Sequence, residues 1–519
     1  MTKDKKQLFT YIVLTLMILL FIKVDYRFKE IFPGGSQDDS VYFYHTQTLA
    51  IDFDLDYTNQ LDGNLRDAFI RNDNKPVPRQ SLGPGIFSSP ILLIANFISR
   101  FFSINSNTSF NYFIYSFIST FYLCLSLVLI KKIINVKNIN DSGKILLFTL
   151  GSGISYYAFE RFSMSAVYEF FSICLILFVV NKIYNLKNLK YQNFIIFLLG
   201  VVQFLMLFNR WNNLHLFLIP LIYIHLNSKN IKTIYKNVTY YIGLVVGAGL
   251  FLLHTYLLYG IFTFFQRDIY PSTGWAVTER LSRFYDLSNL TDNIFLIWKY
   301  FINTCFSMEF GIFYFSSIVF SSLIFLLYFL YKKKYSLFLV LFIFYAIPFL
   351  PVLVFENHGT SYGFRYLFTI IPVNLIIYFK EFSKNKLLTL YLITFSIFGL
   401  FSQLFFESTN LVSLSETTIV NSFDSMSPYS NPDYLTGLLK SLLIPNAYLK
   451  IVFTSFLGVF LIKFINLFTN FEDFVSNYYA IDEQLFELIS SVNSFSWIYF
   501  ILTLIFILLG IKNLLFKTY

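Results

Sequence analysis

The sequence has 519 residues, of which 56% are hydrophobic and only 13% are charged. A soluble globular domain carries about 25% charged residues, so this composition excludes an ordinary soluble protein. Repeated apolar runs of helix-spanning length and a mean hydropathy of +0.60 predict an all-α polytopic membrane protein. The runs should be helices because a spanning segment must pair its backbone groups internally.

The net charge of +9 comes largely from lysine clusters between apolar runs, which is the bias of cytoplasmic loops in membrane proteins. These clusters lie at 131–144, 182–190, 229–236, 332–334 and 380–386. A nucleic-acid partner would need a basic patch on a folded soluble domain, which the sequence lacks. The three cysteines have neither a disulfide pattern nor metal-ligand spacing.

The first apolar segment, about residues 8–23, follows a basic start and should run outward as a retained helix. Residues 24–85 then form a polar outer loop. This loop concentrates five acids in nineteen positions: Asp38, Asp39, Asp52, Asp54 and Asp56. Asp38 or Ser40 can cap a short helix. Val41, Tyr42, His45 and Leu49 would share one face of that helix, which predicts an amphipathic helix at the membrane surface.

Further apolar runs predict a bundle of about 12–14 helices in total. They lie at roughly 86–103, 110–130, 145–159, 164–181, 193–208, 212–226, 238–259, 310–331, 335–355, 365–379, 387–405, 449–467 and 495–516. If both 86–103 and 110–130 cross the membrane, every later lysine cluster is placed outside. We therefore predict that one of them does not cross, and 86–103, with its Ser-Ser-Pro and Arg100, is the weaker candidate.

This arrangement divides the chain into a catalytic membrane module (1–405), a polar loop (406–448) and C-terminal helices (449–519). The acidic segment 468–494 contains no basic residue, and its side of the membrane stays open.

The lysine pattern places several polar helix ends on the outer side with the acidic loop. These ends are Glu160–Arg161, Asn209–Arg210, the loop 260–309 and the block 356–365. Ionisable groups near a bilayer are costly unless solvated or paired, so they are functional candidates. Each one taken alone could simply snorkel to water. Together, facing an acidic loop, they predict a shared cavity.

Asp38 and Asp39 are open to three interpretations. They could be solvated surface acids, ligands of a divalent cation such as Mg²⁺ or Mn²⁺, or a general base with a partner. Arginines meet a complementary need, because Arg binds phosphate through two parallel hydrogen bonds. Arg79, Arg210 and Arg365 are best placed for this, and His358 could add a donor or a proton.

The stretch 37–59, QDDSVYFYHTQTLAIDFDLDYTN, resembles the first outer loop of bacterial GT-C class membrane glycosyltransferases. The similar branch is related to protein O-mannosyltransferases and aminoarabinose transferases. Its pattern is Gly-Asp-Glu-x-x-Tyr followed by Gly-Asp-Leu-Asp-x-x-Asn. Asp38, Asp39, Tyr42, Asp54, Leu55, Asp56 and Asn59 fall on this pattern, whereas Gln37 replaces its first Gly.

Three further blocks extend the resemblance over residues 34–370. Pro84-Gly85 resembles the family's Pro-Gly at the start of the next membrane segment. Residues 310–316 resemble a Gly-Leu-Leu-x-x-Ser-Pro helix start, with Ser317 in place of Pro. Residues 358–366 resemble its Gly-x-Ser-x-Gly-x-Arg-Tyr block.

The resemblance implies a GT-C-like bundle that transfers a sugar from a polyprenyl-phosphate donor on the outer face of the bacterial inner (plasma) membrane. The acceptor would be a hydroxyl of a lipid, a glycan or a protein, and the configuration would be inverted. Asp38 would be the general base and Asp39 its partner or a metal ligand. The predicted substrate-binding residues are Tyr42, His45, Arg79, Arg210, His358 and Arg365. No cofactor is certain, and dependence on Mg²⁺ or Mn²⁺ stays open.

Two other functions remain as alternatives. A transporter or flippase of lipid-linked glycans should place ionisable residues near the bilayer midplane, often with inverted repeats. The candidate charges here lie at helix ends instead, which favours an enzyme. A polymerase or ligase of lipid-linked glycans would use a large late outer loop, and residues 406–448 keep that alternative open.

Overall fold

The computed structural model describes residues 3–22, 37–61, 68–102, 109–136, 138–186, 188–211, 213–265, 268–269, 290–307, 311–355, 364–408, 448, 451–452, 455–468 and 497–515. Several predicted features lie outside this described part. They are the side chain of Asp38, the residue His358, and most of the segments 406–448 and 468–494.

The described part of the chain is mainly helical, and its β-structure is a single two-stranded hairpin. The α-helices are α1 Lys3–Phe21, α2 Gln37–Gln47, α3 Gly83–Phe101, α4 Ser109–Ile134, α5 Ile139–Thr149, α6 Ser155–Phe159, α7 Ala166–Asn185, α8 Leu189–Leu205, α9 Ile219–Leu226, α10 Lys232–Tyr235, α11 Val238–Tyr259, α12 Leu290–Phe306, α13 Ile312–Phe315, α14 Ser317–Tyr331, α15 Tyr335–Phe355, α16 Ile371–Ile377, α17 Lys386–Ser408, α18 Phe456–Ile465 and α19 Trp497–Leu515. Helices of the 3₁₀ type span Met206–Asn209, Leu214–Leu218 and Arg365–Ile370, and π-helical turns span Thr48–Asp52, Leu150–Ile154 and Tyr378–Phe382.

Seven of the described helical segments are long and apolar enough to cross a membrane. They are 83–101, 110–134, 166–185, 189–209, 238–259, 335–353 and 386–404. Shorter apolar helices join them, among them 11–21, 214–226, 317–331 and 500–513. The predicted class, an all-α polytopic membrane protein, is therefore confirmed.

Two helices, α8 and α11, start at an asparagine cap beside a basic cluster. The side chain of Asn188 accepts a hydrogen bond from the backbone N–H of Lys190 at 3.0 Å, and Asn237 does the same for Thr239 at 3.0 Å. Such caps satisfy backbone donors that the first turn of a helix leaves unpaired. Gly260 ends α11 in a left-handed conformation, φ 74°.

The lysine clusters meet at one end of the bundle. Lys380 donates to Asn227 at 3.1 Å, and Lys334 lies 3.7 Å from Glu381. In α7, Lys182 at this end is thirteen residues, or about 20 Å, from Glu169 at the other end. The positive-inside rule predicts that the lysine end is cytoplasmic, so the opposite end is called the predicted outer end.

Helix α2 differs from the prediction in two ways. It begins at Gln37, so Asp38 and Asp39 lie inside its first turn rather than before it. From Asp39 to Ala50 every residue is buried or half-buried, so α2 is not a helix on the membrane surface. The reason is that α3 and α4 cover it, with Phe43 packed against Tyr115 at 4.8 Å between ring centroids.

Helix α3 contains the segment whose crossing was doubtful. Although its length and composition would allow it to cross, its contacts lie at one end of the bundle. Ser88 hydrogen bonds Tyr168, the third residue of α7, at 2.8 Å. Further along, Leu92 packs with Phe43 of α2 and with Tyr115 near the start of α4. Whether α3 crosses therefore stays a prediction.

The helix that leads to the Glu160–Arg161 turn is broken midway. Gly153 has φ 101°, which interrupts the run between α5 and α6 with a π-helical turn. The side chain of Gln403 on α17 satisfies the freed backbone groups: it donates to the carbonyl of Leu150 at 3.0 Å and accepts from the N–H of Tyr156 at 3.1 Å. Turns of this kind are frequent at functional sites.

The outer loop folds back through a two-stranded hairpin. Strands β1, Ala68–Ile70, and β2, Pro76–Pro78, pair antiparallel with Phe69 opposite Val77. The hairpin rests on the end of α11, where Tyr259 donates to the carbonyl of Pro78 at 3.0 Å. At the C-terminus, α18 and α19 pack on α1, and the N–H of Phe456 donates to the carbonyl of Ile22 at 2.8 Å. The predicted division into three parts stays a prediction.

Candidate active site

The first element of the site is a buried ion pair between Asp39 and Arg161. Arg161, in the turn that follows α6, donates from Nε to Oδ2 of Asp39 at 2.9 Å, and its Nη2 contacts the same oxygen. The two side chains are 10% and 1% exposed, respectively. Burial disfavours the charged guanidinium, but the charge of Asp39 outweighs it, so the pKa of Arg161 is raised above its usual value.

The chain positions this pair through two short elements. Asp39 lies in the first turn of α2, where the helix dipole favours a carboxylate. Arg161 leaves α6 with its backbone N–H bonded to the carbonyl of Tyr156 at 2.9 Å. The ring of Tyr115 lies close enough to Asp39 to interact with its charge. The pair therefore ties the start of the outer loop to the turn between α6 and α7.

A second buried pair joins Glu169, in the first turn of α7, to Arg210. Nη2 of Arg210 lies 3.1 Å from Oε1 of Glu169 and donates to the hydroxyl of Ser165 at 2.9 Å. That hydroxyl donates to Oε1 at 2.7 Å, and Asn213 donates to Oε2 at 2.9 Å. Both oxygens of Glu169 are thus engaged. Burial lowers the pKa of Arg210, whereas the charge of Glu169 raises it. The net effect is a raised pKa.

Two arginines meet at the ring of Tyr366. The guanidinium carbon of Arg210 lies 4.4 Å from the ring centroid, and that of Arg365 lies 5.7 Å from it. Arg365 also contacts Met164, with Nη1 3.5 Å from the sulfur. The two guanidinium groups repel each other enough that Arg365 opposes the rise in the pKa of Arg210. Two like charges are therefore concentrated at the predicted outer end.

Close backbone contacts connect these elements to α2 and α3. A Cβ on Gly83 would lie 2.4 Å from the backbone nitrogen of Asn209, which directly precedes Arg210. A Cβ on Gly85 would lie 2.6 Å from the Cβ of His45 on α2. Tyr42, one turn before His45, is close enough to Arg210 to affect its pKa. The sequence therefore brings Asp39, Tyr42, Arg210 and Arg365 to one end of the bundle.

His45 has a different environment from the one predicted. Its ring is fully buried, with Nδ1 2.8 Å from the hydroxyl of Tyr57 and Nε2 3.0 Å from the carbonyl of Gln80. Because a carbonyl can only accept, Nε2 carries the proton and Nδ1 accepts from Tyr57. Burial lowers the pKa of His45 to about 4. In this geometry the histidine ties α2 to Tyr57 and to Gln80, two residues after β2, and its substrate-binding role stays a prediction.

The remaining predicted residues are placed less fully. The backbone of Asp38 lies in the first turn of α2, and its side chain is outside the described part. Arg79 follows β2 directly and is half-buried. His358 lies outside the described residues. The roles predicted for these three residues stay predictions.

The later acids of the outer loop make local contacts. Asp56 lies 2.5 Å from Lys75 of the hairpin, and hydrogen bonds from Lys75 and Thr58 lower the pKa of Asp56 to about 2. Asp52 accepts from Gln60 at 2.5 Å. Among the residues that the structure describes, no group of three His, Cys, Asp or Glu side chains could hold a metal ion. Dependence on Mg²⁺ or Mn²⁺ stays a prediction.

Sequence reasoning left out several residues of this site. Glu169 is a single acid inside the apolar run 164–181, and such an isolated intramembrane charge is itself a signal of function. Arg161 and Tyr366 occur in segments that the sequence singled out, although neither was assigned a role. Ser165 and Asn213 carried no signal, because their importance comes only from contact with Glu169.

The fold and this site define an all-α polytopic membrane protein with two buried carboxylate–arginine pairs at one end of its bundle. No protein-family model matches the sequence, and neither does any curated protein. Among solved structures, the chain is similar to the archaeal oligosaccharyltransferase AglB from Archaeoglobus fulgidus in complex with an inhibitory peptide and a dolichol-phosphate. The identity is 12% and the TM-score 0.35, with 85% of this chain and 56% of that chain covered. A likeness at this level does not establish a shared activity.

Proposed function

We propose that this protein is a membrane glycosyltransferase that moves a sugar from a polyprenyl-phosphate donor to a hydroxyl acceptor. One observation carries the proposal: Arg210 and Arg365 converge on the ring of Tyr366 at the end of the bundle that also holds Asp39. Nη1 of Arg210 is buried and makes no hydrogen bond to any described residue. The convergence supports a site for an anionic group.

A phosphate fits this arrangement better than a neutral group does. Two nearby guanidinium groups repel each other, and an anion between them removes that cost. Arginine is suited to phosphate because its planar fork donates two parallel hydrogen bonds. In glycosyl transfer from a polyprenyl phosphate, the negative charge on the departing phosphate oxygen grows in the transition state. Arg210 and Arg365 would stabilise that charge. Electrostatic stabilisation of the transition state is usually the largest single contribution to catalysis.

The proposed reaction uses Asp38 as a general base. The acceptor oxygen attacks the anomeric carbon, its proton passes to the carboxylate of Asp38, and the carbon–oxygen bond to the phosphate breaks. The electron pair leaves with the polyprenyl phosphate, and the anomeric configuration is inverted because the acceptor attacks from the face opposite the phosphate. Asp39, paired with Arg161, would hold the first turn of α2 in place and thereby position its neighbour Asp38. His45 would anchor the same helix rather than bind the substrate.

The transporter alternative has less support. A transporter should carry charges near the bilayer midplane, where its substrate crosses. Among the described residues, the two buried ion pairs lie in the first turns of α2 and α7 and in the turns at 161 and 210. That distribution favours chemistry at one face.

A binding measurement tests the phosphate site. The purified full-length chain in nanodiscs should bind undecaprenyl phosphate more tightly than undecaprenol, measured by native mass spectrometry. Arg365→Gln should weaken phosphate binding by about tenfold or more, because hydrogen bonds to charged groups contribute that much. Arg100→Gln is the matched control, since that arginine is exposed at the end of α3. Equal affinity for both lipids would refute the proposal.

A second experiment tests the chemistry. Asp38→Asn should abolish sugar transfer while leaving undecaprenyl phosphate binding within about twofold, because a general base acts on the acceptor. Retained turnover would remove Asp38 from the mechanism. Mass spectrometry of envelope lipids, glycans and proteins after deletion of the gene would identify the sugar and its acceptor.

A further inference from the structure

Glu169 is the acid that the proposed reaction leaves without a role, and its contacts are specific. It is 1% exposed, and both of its oxygens are used by Ser165, Arg210 and Asn213. This carboxylate bonds three neighbouring protein groups at once, which suits a role in holding those groups in place. Its position therefore argues for control of a neighbour.

That neighbour is Arg210. Glu169 and Ser165 both engage the Nη2 side of its guanidinium, while the ring of Tyr366 covers its face. An arginine side chain has many rotamers, and here three groups restrict it. The planar guanidinium then fixes the direction of the opposite nitrogen, Nη1, which is buried and makes no hydrogen bond within the described residues.

We infer that Glu169 is a positioning residue that holds Arg210 so that its Nη1 donors point at the phosphate of a polyprenyl-phosphate ligand. The inference rests on the proposed function and adds a residue to it. Asn213 extends the same arrangement, because it touches Glu169 and fixes the second carboxylate oxygen at 2.9 Å. In this arrangement Glu169 and Asn213 contribute to phosphate recognition only through Arg210 and do not contact the ligand.

Binding of undecaprenyl phosphate to the purified full-length chain in nanodiscs tests this inference, with undecaprenol as the lipid control. Glu169→Gln keeps the shape of the side chain and removes its charge. It should weaken phosphate binding by about tenfold, the factor expected when a charge-assisted bond is lost, and leave undecaprenol binding unchanged. Glu381→Gln, which removes a paired carboxylate at the lysine end, is the matched control and should have no effect.

Two more variants separate positioning from folding. Glu169→Gln combined with Arg210→Gln leaves no uncompensated buried charge, so its melting temperature should return towards that of the unaltered protein. Its phosphate affinity should equal that of Arg210→Gln alone, because Glu169 acts only through Arg210. Asn213→Ala keeps both charges and should weaken phosphate binding by less than the roughly tenfold expected of Glu169→Gln, because Asn213 acts on Arg210 only through Glu169.

The outcomes distinguish this inference from the function it rests on. If Arg210→Gln weakens binding whereas Glu169→Gln and Asn213→Ala do not, Glu169 has no positioning role and the phosphate site stands. If the double variant binds undecaprenyl phosphate more weakly than Arg210→Gln, Glu169 acts on the ligand by another route and the inference is wrong. If Arg210→Gln itself binds normally, both this inference and the assignment of Arg210 to the phosphate site fail.

Discussion

Acidification should destabilise this protein through His45. The ring is fully buried and its two nitrogens hold Tyr57 and Gln80 in the neutral form. Protonation would place a positive charge on a fully buried ring, which burial disfavours. The pKa of His45 is about 4 in the fold, against an ordinary value of 6.5. The unfolded chain therefore binds more protons than the folded chain between these two values.

The sign and the size follow from proton linkage. Stability is fully present above pH 6.5 and falls as the pH decreases towards 4. The difference between the two pKa values of His45 corresponds to about 3 kcal/mol in full, and a change from pH 7.5 to pH 5 should remove about 2 kcal/mol. That is a large part of the stability of a typical fold, about 5–15 kcal/mol.

The assay is chemical or thermal unfolding of the purified protein at pH 7.5 and pH 5, compared with His45→Gln. The glutamine amide can donate to Gln80 and accept from Tyr57, but it cannot be protonated, so other titrating groups cancel in the comparison. His254, which lies near enough to interact electrostatically with His45, is present in both proteins. If both lose the same stability between the two pH values, the buried neutral histidine is not the cause.

Three further predictions concern the buried ion pair of Asp39, the packing at Gly85 and the path of α3. Arg161→Met should lower stability by about 3–5 kcal/mol in equilibrium unfolding, because Asp39 keeps a buried charge, and adding Asp39→Asn should recover most of it. Gly85→Ala should cost about 1–3 kcal/mol because its Cβ would collide with α2, whereas Gly143→Ala, with open space, should cost nothing. A cysteine at Phe102 should react with an impermeant maleimide from the side of the carboxylate end; labelling from the lysine side would mean that α3 crosses.

The fold was predictable from the sequence because spanning segments are local features. The length of an apolar run predicts a helix, and a lysine cluster predicts the loop that follows it, whatever packs against them in the fold. The break at Gly153 is less visible, because it depends on Gln403 from a distant helix satisfying the backbone there. Helix α2 likewise had the pattern of a surface helix, and the packing of α3 and α4 over it decided otherwise.

The site was predictable in its residue types and only partly in its pairing. Adjacent acids and helix-end arginines indicated charge at one face. No local pattern reveals that Asp39 pairs with Arg161, 122 positions later, or that Glu169 pairs with Arg210. His45 shows a second limit: its place next to candidate catalytic acids predicts a substrate contact, whereas the packing that buries it and bonds both nitrogens leaves no trace in the sequence.

The two glycines at the start of α3 have a consequence for how the protein works. Gly83 lies against the backbone before Arg210, and Gly85 lies against His45 in the helix that carries Asp39. The approach of α3 to these two segments is therefore close, and the contacts include the backbone of Asn209 and the Cβ of His45, which no change of rotamer can move away. A side chain at either glycine would push α2 and the Arg210 turn apart, so the spacing between these charged segments depends on two residues that carry no side chain.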